Sequence, residues 1–326
     1  MKAIKFFAIS AMAAAMITSC STDDELSQSN YPSDNIIRVT AGVNNAKTRA
    51  EGAGTEMKNN FSLTIVNKNA PKYTYTDKVF SKSSGDWACS ETLLWQKSDA
   101  LVDIVAFAPA QTGKFNGVYA NGSIQPIAYS VADDQSTWSD NNDLLYYYAK
   151  DFKPGDKLVD KKLSIQFNHA FCMIDINVTL GTEFNKPSIP TTSPIVKVTL
   201  GGTKIAANVN VTNAASVVTA SEEAAATDIT TTNGTFTTAA NAETNAISRF
   251  SCIAIPQTVA GKTFKVSLMT AGKLYEWTSA EPVELKSGYR YTLNLSMGND
   301  VVLLKGGSIT ATPWTEITSD KPLETD

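Results

Sequence analysis

Apolar and polar residues alternate one for one along much of this chain, and that period decides the fold class. Tyr289, Tyr291, Leu293 and Leu295 alternate with Arg290, Thr292 and Asn294. Phe264, Val266 and Leu268 alternate with Thr263, Lys265 and Ser267; Ile37, Val39, Ala41 and Val43 share one parity, as do Phe61, Leu63 and Ile65. A period of two places one set of side chains in a core and the other in water, the mark of an antiparallel sheet with one wet face. Turn-rich stretches separate the runs: SKSSGD at 81–86, QTGKFNG at 111–117, DDQSTWSDNND at 133–143 and KSG at 286–288. Helical periodicity is nearly absent. The expected architecture is an all-β, antiparallel β-sandwich.

The chain is long enough for two such domains. Charged residues make up 18% and apolar ones 43%, a balance that suits a packed body rather than a disordered one. A break is expected at Lys153-Pro154-Gly155-Asp156, followed by the charged Asp160-Lys161-Lys162, which divides the body into domains at 50–160 and 161–326. From Thr203 to Ala246 the chain is rich in Thr, Ala and Asn and reads as weak edge strands with long surface loops. Ser221–Ala226 is its one plausible helical turn. A net charge of −4 and a pI near 5.2 argue against nucleic acid as a partner.

The first twenty-five residues fix the compartment. Lys2 and Lys5 form a basic start, and the apolar run from Phe6 to Ile17 is too short to span a bilayer but suits a secretory signal. It ends in Ile17-Thr18-Ser19-Cys20, which resembles a bacterial lipobox with 1–20 as the lipoprotein signal peptide. Several acyl chains on Cys20 would hold the protein stably to a membrane, since each buried CH₂ adds about 0.8 kcal/mol and a single chain is marginal. The acidic Ser21-Thr22-Asp23-Asp24-Glu25 looks like the surface-export signal of Bacteroidetes lipoproteins. The alternative is an ordinary secretory signal with a chance cysteine.

Chemistry-bearing patterns are few. His169 is the single histidine, so a Ser-His-Asp triad, a two-histidine zinc site and a histidine acid–base pair are all excluded. It lies in NHAF within a strand run and reads as a hydrogen-bonded structural residue. Gly261-Lys262-Thr263 resembles the end of a P-loop, but Pro256 stands where the earlier glycine belongs. The acidic loop Asp133–Asp143 has oxygen ligands enough for calcium yet lacks the ordered spacing and closing glutamate, so it reads as a solvated turn. Trp87, Trp95, Trp138 and Tyr146-Tyr147-Tyr148 read as core, with a sugar-stacking platform as the alternative. With Cys20 lipidated, Cys89, Cys172 and Cys252 remain; Cys172 and Cys252 read as buried and reduced, with a bridge between them as the alternative. No catalytic residue, metal site or cofactor is expected.

Several segments together resemble the fimbrillin family, the subunits, anchors and tips of type V pili in Bacteroidia. They are TRAEG at Thr48–Gly52, WACSETLLWQKSDALVDIVAFAP at Trp87–Pro109, LSIQFNHAFCMIDINV at Leu163–Val178, AIPQT at Ala254–Thr258, LKSGYRYTLNL at Leu285–Leu295 and ITATPW at Ile309–Trp314. The resemblance implies two transthyretin-like antiparallel β-sandwich domains. It also implies export as a lipoprotein and a cut after arginine by a trypsin-like protease. Arg49 before Ala50 is the matching position; Arg38 is a poorer one because it lies within a strand run. The implied partners are other pilin subunits, in a homo- or hetero-polymer, the outer membrane through lipid on Cys20, and a host or bacterial surface ligand.

The physical logic of such a cut follows. The leader 21–49 holds an alternating segment, Ile36–Val43, able to act as a strand of the first sandwich. Cutting at Arg49 releases it and leaves an apolar groove beside unpaired backbone groups, a template for another chain's strand. The candidate donor is 301–317, with Val302, Leu304, Ile309 and Ala311 to fill pockets. Four such side chains bring about 6–12 kcal/mol, against an association cost of about 4–15 kcal/mol. Pro313 cannot donate to a ladder, so pairing should weaken or end near it. The alternative function is a lipid-anchored surface adhesin or glycan-binding protein that does not polymerise; a carboxylate-only secreted enzyme is the remotest reading.

Overall fold

The computed structural model describes residues 30–44, 55–305 and 309–314. Cys20, Arg49 and Ala50 lie outside the described residues. Strands dominate; among the described residues the one α-helix is the single turn Pro154–Lys157, built where the break at Pro154-Gly155 was expected. The architecture is all-β, with sheets packed over shared cores.

The first sheet has eight strands, in the order Thr55–Glu56, Val39–Val43, Leu163–His169, Leu145–Phe152, Val102–Ala108, Phe61–Val66, Tyr75–Ser83 and Asp86–Cys89. Every neighbouring pair is antiparallel except Val39–Val43 beside Leu163–His169, which is parallel. The period of two does its work here. Ile37, Val39 and Val43 enter the same core as Phe61, Leu63, Ile65, Leu163, Ile165 and Phe167. Val102–Ala108 is buried along its whole length because both of its faces are covered. Ile104 and Ala106 point into this core, while Val105 and Phe107 point into a second, larger one.

The larger core lies under a six-stranded sheet. Its order is Thr232–Thr237, Ala246–Ala254, Cys172–Leu180, Tyr289–Met297, with Val302–Leu304 and Thr310–Pro313 both on the outer edge of Tyr289–Met297. Cys172–Leu180 alternates without a break, Ile174, Ile176 and Val178 buried and Met173, Asp175 and Asn177 half-exposed. A four-stranded sheet, Ile229–Thr230, Ile195–Gly201, Lys265–Thr270 and Leu274–Thr278, contributes Val198, Leu200, Val266 and Leu268 to the same core.

The chain leaves the first sheet at His169 and enters the second at Cys172, so Leu163–His169 lies in the first sheet although it follows residue 160. A smaller sheet ties the halves together: Ile127–Ser130 pairs with Ala206–Val209, which pairs with Val218–Ala220. Of the helical turn expected at Ser221–Ala226, a single hydrogen-bonded turn forms, Ala224 N on Ser221 O at 3.3 Å, and no helix. Lys204 Nζ takes the carbonyls of Ser221 and Glu222 at 2.9 and 3.0 Å, and Ala226 bridges to Lys204, which holds the segment in a bend.

Candidate functional site

Two segments meet the requirements of a removable strand and a detachable arm, one at each end of the described chain. The leading segment begins with backbone bonds from Ile37 N to Leu93 O at 2.9 Å and from Trp95 N to Asn35 O at 2.8 Å. It then runs parallel to Leu163–His169, from Val39 beside Leu163 to Val43 beside Phe167. Ile37, Val39 and Val43 are buried, at 6, 4 and 2% exposure, and Ala41 is half-buried over the same core. Its outer flank is bonded at both ends, through Asn35 and Ile37 to Trp95 and Leu93 and through Gly42 and Val43 to Thr55–Glu56; among the described residues no strand pairs with Val39–Ala41 between them. This is an apolar plug, laced along one side and tied at both ends of the other.

Arg38 lies within the leading segment, between the buried Ile37 and Val39. Its guanidinium meets Asp34 at 2.6 Å and, by hydrogen bonding, holds that carboxyl down to about 2. Its carbonyl accepts from Leu163 N at 2.8 Å, so the Arg38–Val39 bond is part of a ladder.

The C-terminal arm, 302–314, lies along the outer edge of Tyr289–Met297 in two pieces. Val302–Leu304 pairs with Leu295–Met297, and Thr310–Pro313 pairs with Tyr289–Thr292. The strand's named pairs stop at Pro313, which has no N–H to give, but the backbone resumes one residue on through Trp314 N. Of the four candidate donor residues, Val302 is buried, Leu304 and Ile309 are half-buried and Ala311 is exposed. Leu304, Ile309 and Ala311 line a groove of about 540 Å³ together with Trp277, Pro282 and Tyr291, so these three side chains of the arm are incompletely packed.

Its far end is anchored. Trp314 is 6% exposed, and its ring stacks on that of His169 with centroids 3.8 Å apart and planes 12° from parallel. Trp314 N donates to Gly288 O at 2.7 Å. His169 Nδ1 in turn donates to Asp143 Oδ1 at 2.9 Å, which orients the ring that Trp314 covers. His169 is therefore a buried structural histidine, as its strand context implied. Its stacking partner was not singled out from sequence; the closing ITATPW was the only signal.

The other candidates resolve into structure. The carboxylates of Asp133, Asp134 and Asp140 cap their own loop, on Asp134 N, Ser136 N and Trp138 Nε1 at 2.9, 2.9 and 2.7 Å. Among the described residues no group of three or more His, Cys, Asp or Glu side chains converges on a common point. Trp95 is buried, Trp87 packs edge-on against Phe61, and only Trp138 is well exposed, so the tryptophans make no shared platform. Cys172 and Cys252 are buried and unbridged; burial pushes both thiols up, and Cys172 Sγ donates to Ala254 O at 3.1 Å. Gln135, which drew no notice in sequence, is buried and grips the edge of the second sheet, Nε2 on Ile253 O at 2.9 Å and Oε1 on Ile253 N at 2.8 Å.

Comparison with known proteins agrees with this picture. No curated protein matches the chain. Solved structures share its fold: a candidate cell-adhesion protein from Bacteroides ovatus is 17% identical, with a TM-score of 0.60 over 86% of this chain and 98% of its own. A second from Bacteroides uniformis is 14% identical, with a TM-score of 0.57 over 87% and 100%. A fimbrial protein from Bacteroides vulgatus is 14% identical, with a TM-score of 0.53 over 86% and 99%. The model of the fimbrillin-like family matches residues 48–314, most of the sequence. The chain belongs to the fimbrillin-like family, and so to the fimbrial and adhesion proteins of the cell surface rather than to the enzymes.

Proposed function

We propose that this protein is a structural or accessory subunit of a fimbrium, that it is lipid-anchored at the outer membrane through Cys20, and that it assembles with other pilin subunits by protease-triggered strand exchange. A cut between Arg49 and Ala50 frees the leading segment, and the arm of a neighbouring subunit takes its place. The observation that carries this reading is the plug itself: an apolar strand sealing a core, bonded all along one flank and, among the described residues, only at its two ends on the other. Removing it takes three buried side chains, worth about 4.5–9 kcal/mol, out of the core and leaves the edge of Leu163–His169 unpaired. Such an edge recruits another strand. Arg38 is the poorer cleavage point, since its carbonyl is held in a ladder and proteases need backbone they can lift away.

The donor works in halves. Val302 and Leu304 share one sequence parity and Ile309 and Ala311 the other, so an unbroken strand cannot bring all four to one face. Each half supplies two apolar residues, about 3–6 kcal/mol if fully buried. New ladder hydrogen bonds must therefore contribute much of the balance against the cost of association.

Arg49→Ala tests the reading. The normal protein should begin at Ala50 on N-terminal sequencing of the surface form and give ladders of polymer. The variant should keep its lipidated start at Cys20 and stay monomeric. Normal polymer from the uncut variant would refute the proposal.

A further inference from the structure

Beside the plug, the first sheet opens. Leu145–Phe152 pairs with Leu163–His169 at only two positions, Leu145 with His169 and Tyr146 with Asn168. Beyond them the strands part. The turn between Ala206–Val209 and Val218–Ala220 reaches over the opening through Ala214 and Val217. The result is a cleft with two lobes that meet at Tyr146, of about 380 and 650 Å³. Each lobe falls in the size range of small-ligand sites.

The lining has a consistent chemistry. The smaller lobe presents Tyr146 and Tyr148, which alternate to the same face of their strand, with the amides of Asn44, Gln166 and Asn168. Among the described residues no ionised side chain lines it. In the larger lobe Glu284 and Lys286 pair with each other at 2.9 Å, so their charges cancel. Hydrogen-bonding capacity is left over. Asn44 Nδ2 donates to Asn168 Oδ1 at 2.8 Å, which leaves the Asn44 carbonyl and the Asn168 amide N–H groups turned to other uses. The phenols of Tyr146 and Tyr148 have no hydrogen-bond partner among the described residues, although both rings are half-buried.

We infer that this cleft binds a neutral oligosaccharide. Flat aromatic faces accept the C–H faces of sugar rings, side-chain amides and phenols match their hydroxyls, and the absence of net charge removes any gain for an anionic or cationic ligand. Two lobes meeting end to end suit a chain of sugars over a compact molecule. Asn44 belongs to the leading segment, so a cut after Arg49 takes it from the cleft and frees the Asn168 side-chain carbonyl, while Tyr146, Tyr148, Gln166 and Asn168 stay; the site is that of the uncut chain.

The test is a glycan array followed by calorimetric titration of the purified full chain. The probes are neutral hexose and N-acetylhexosamine oligosaccharides, with sulfated and uronic-acid glycans as charged controls. Neutral glycans should bind, and Tyr148→Ala should weaken binding about tenfold, a change of about 1.4 kcal/mol. Asn168→Ala, at an exposed position that leaves the core intact, should do the same. Circular dichroism of both variants should match the unaltered protein. Four outcomes would overturn the inference: no neutral glycan binds; charged controls bind equally well; binding survives both substitutions; or the substitutions abolish subunit–subunit contact in a protein that takes no sugar, which would make the cleft a seat for a second copy.

Discussion

Trp314 shows how much of a segment's fate can rest on one side chain. Along Thr310–Pro313 every residue is exposed, and Leu303 is 59% exposed, so the arm has little hold of its own between Val302 and Trp314. Truncating a buried tryptophan costs about 3–5 kcal/mol when the surroundings stay docked. Here the arm should let go first. Trp314→Ala is expected to strip hydrogen-exchange protection from 310–313 and raise proteolysis of the arm at least about tenfold, while Cys172–Leu180 keeps its protection. Protection unchanged in both segments would remove Trp314 from the role of anchor. The sequence carried half of this contact. NHAF identified a structural histidine, but Asp143 and Trp314 meet it only because the turn into Leu145–Phe152 and the end of the arm converge on the same end of the first sheet.

Among the elements, the leading strand is the informative one. Alternation from Ile37 to Val43 was legible, and so was its place in a core. Its parallel seat beside Leu163–His169 was not, because a period of two names a face and not a neighbour. The plug reading makes a prediction at this scale. Val39→Asp puts a carboxylate at a site only 4% exposed, and a buried unpaired charge costs several kcal/mol. The strand should swing out instead of burying it. The variant should then self-associate on size-exclusion chromatography without any cut at Arg49, and protease should reach 35–44. A Val39→Asp protein that stays monomeric and as stable as the original would show that the strand does not seal the core.

At the scale of the whole molecule, the two halves are joined by more than the chain. Val105 and Phe107 of the first sheet sit in the larger core, Ile127–Ser130 pairs across to Ala206–Val209, and Gln135 closes on Ile253. Gln135→Leu keeps the volume but leaves the Ile253 N–H and C=O unpaired in a place that excludes water. At about 1–3 kcal/mol for each orphaned group, the variant should lose about 2–6 kcal/mol in denaturant titration. An unshifted midpoint would mean that the clamp contributes nothing to joining the halves. The break at Pro154-Gly155 was visible as a turn signal, yet the chain crosses between sheets only after His169. Turn signals report where backbone bends, not which sheet the next strand joins.

The sequence by itself determined the strand-rich class, the inward face of the clearly alternating strands such as Tyr289–Met297 and the poverty of catalytic groups, because these depend on residue type and on spacing within a few neighbours. Only the tertiary structure decided which edges stay bare, which ring covers His169, what Gln135 grips and where the first sheet parts around Tyr146. Those are meetings of residues distant in sequence, and the strand order that brings them together is set by how whole faces pack rather than by any local pattern.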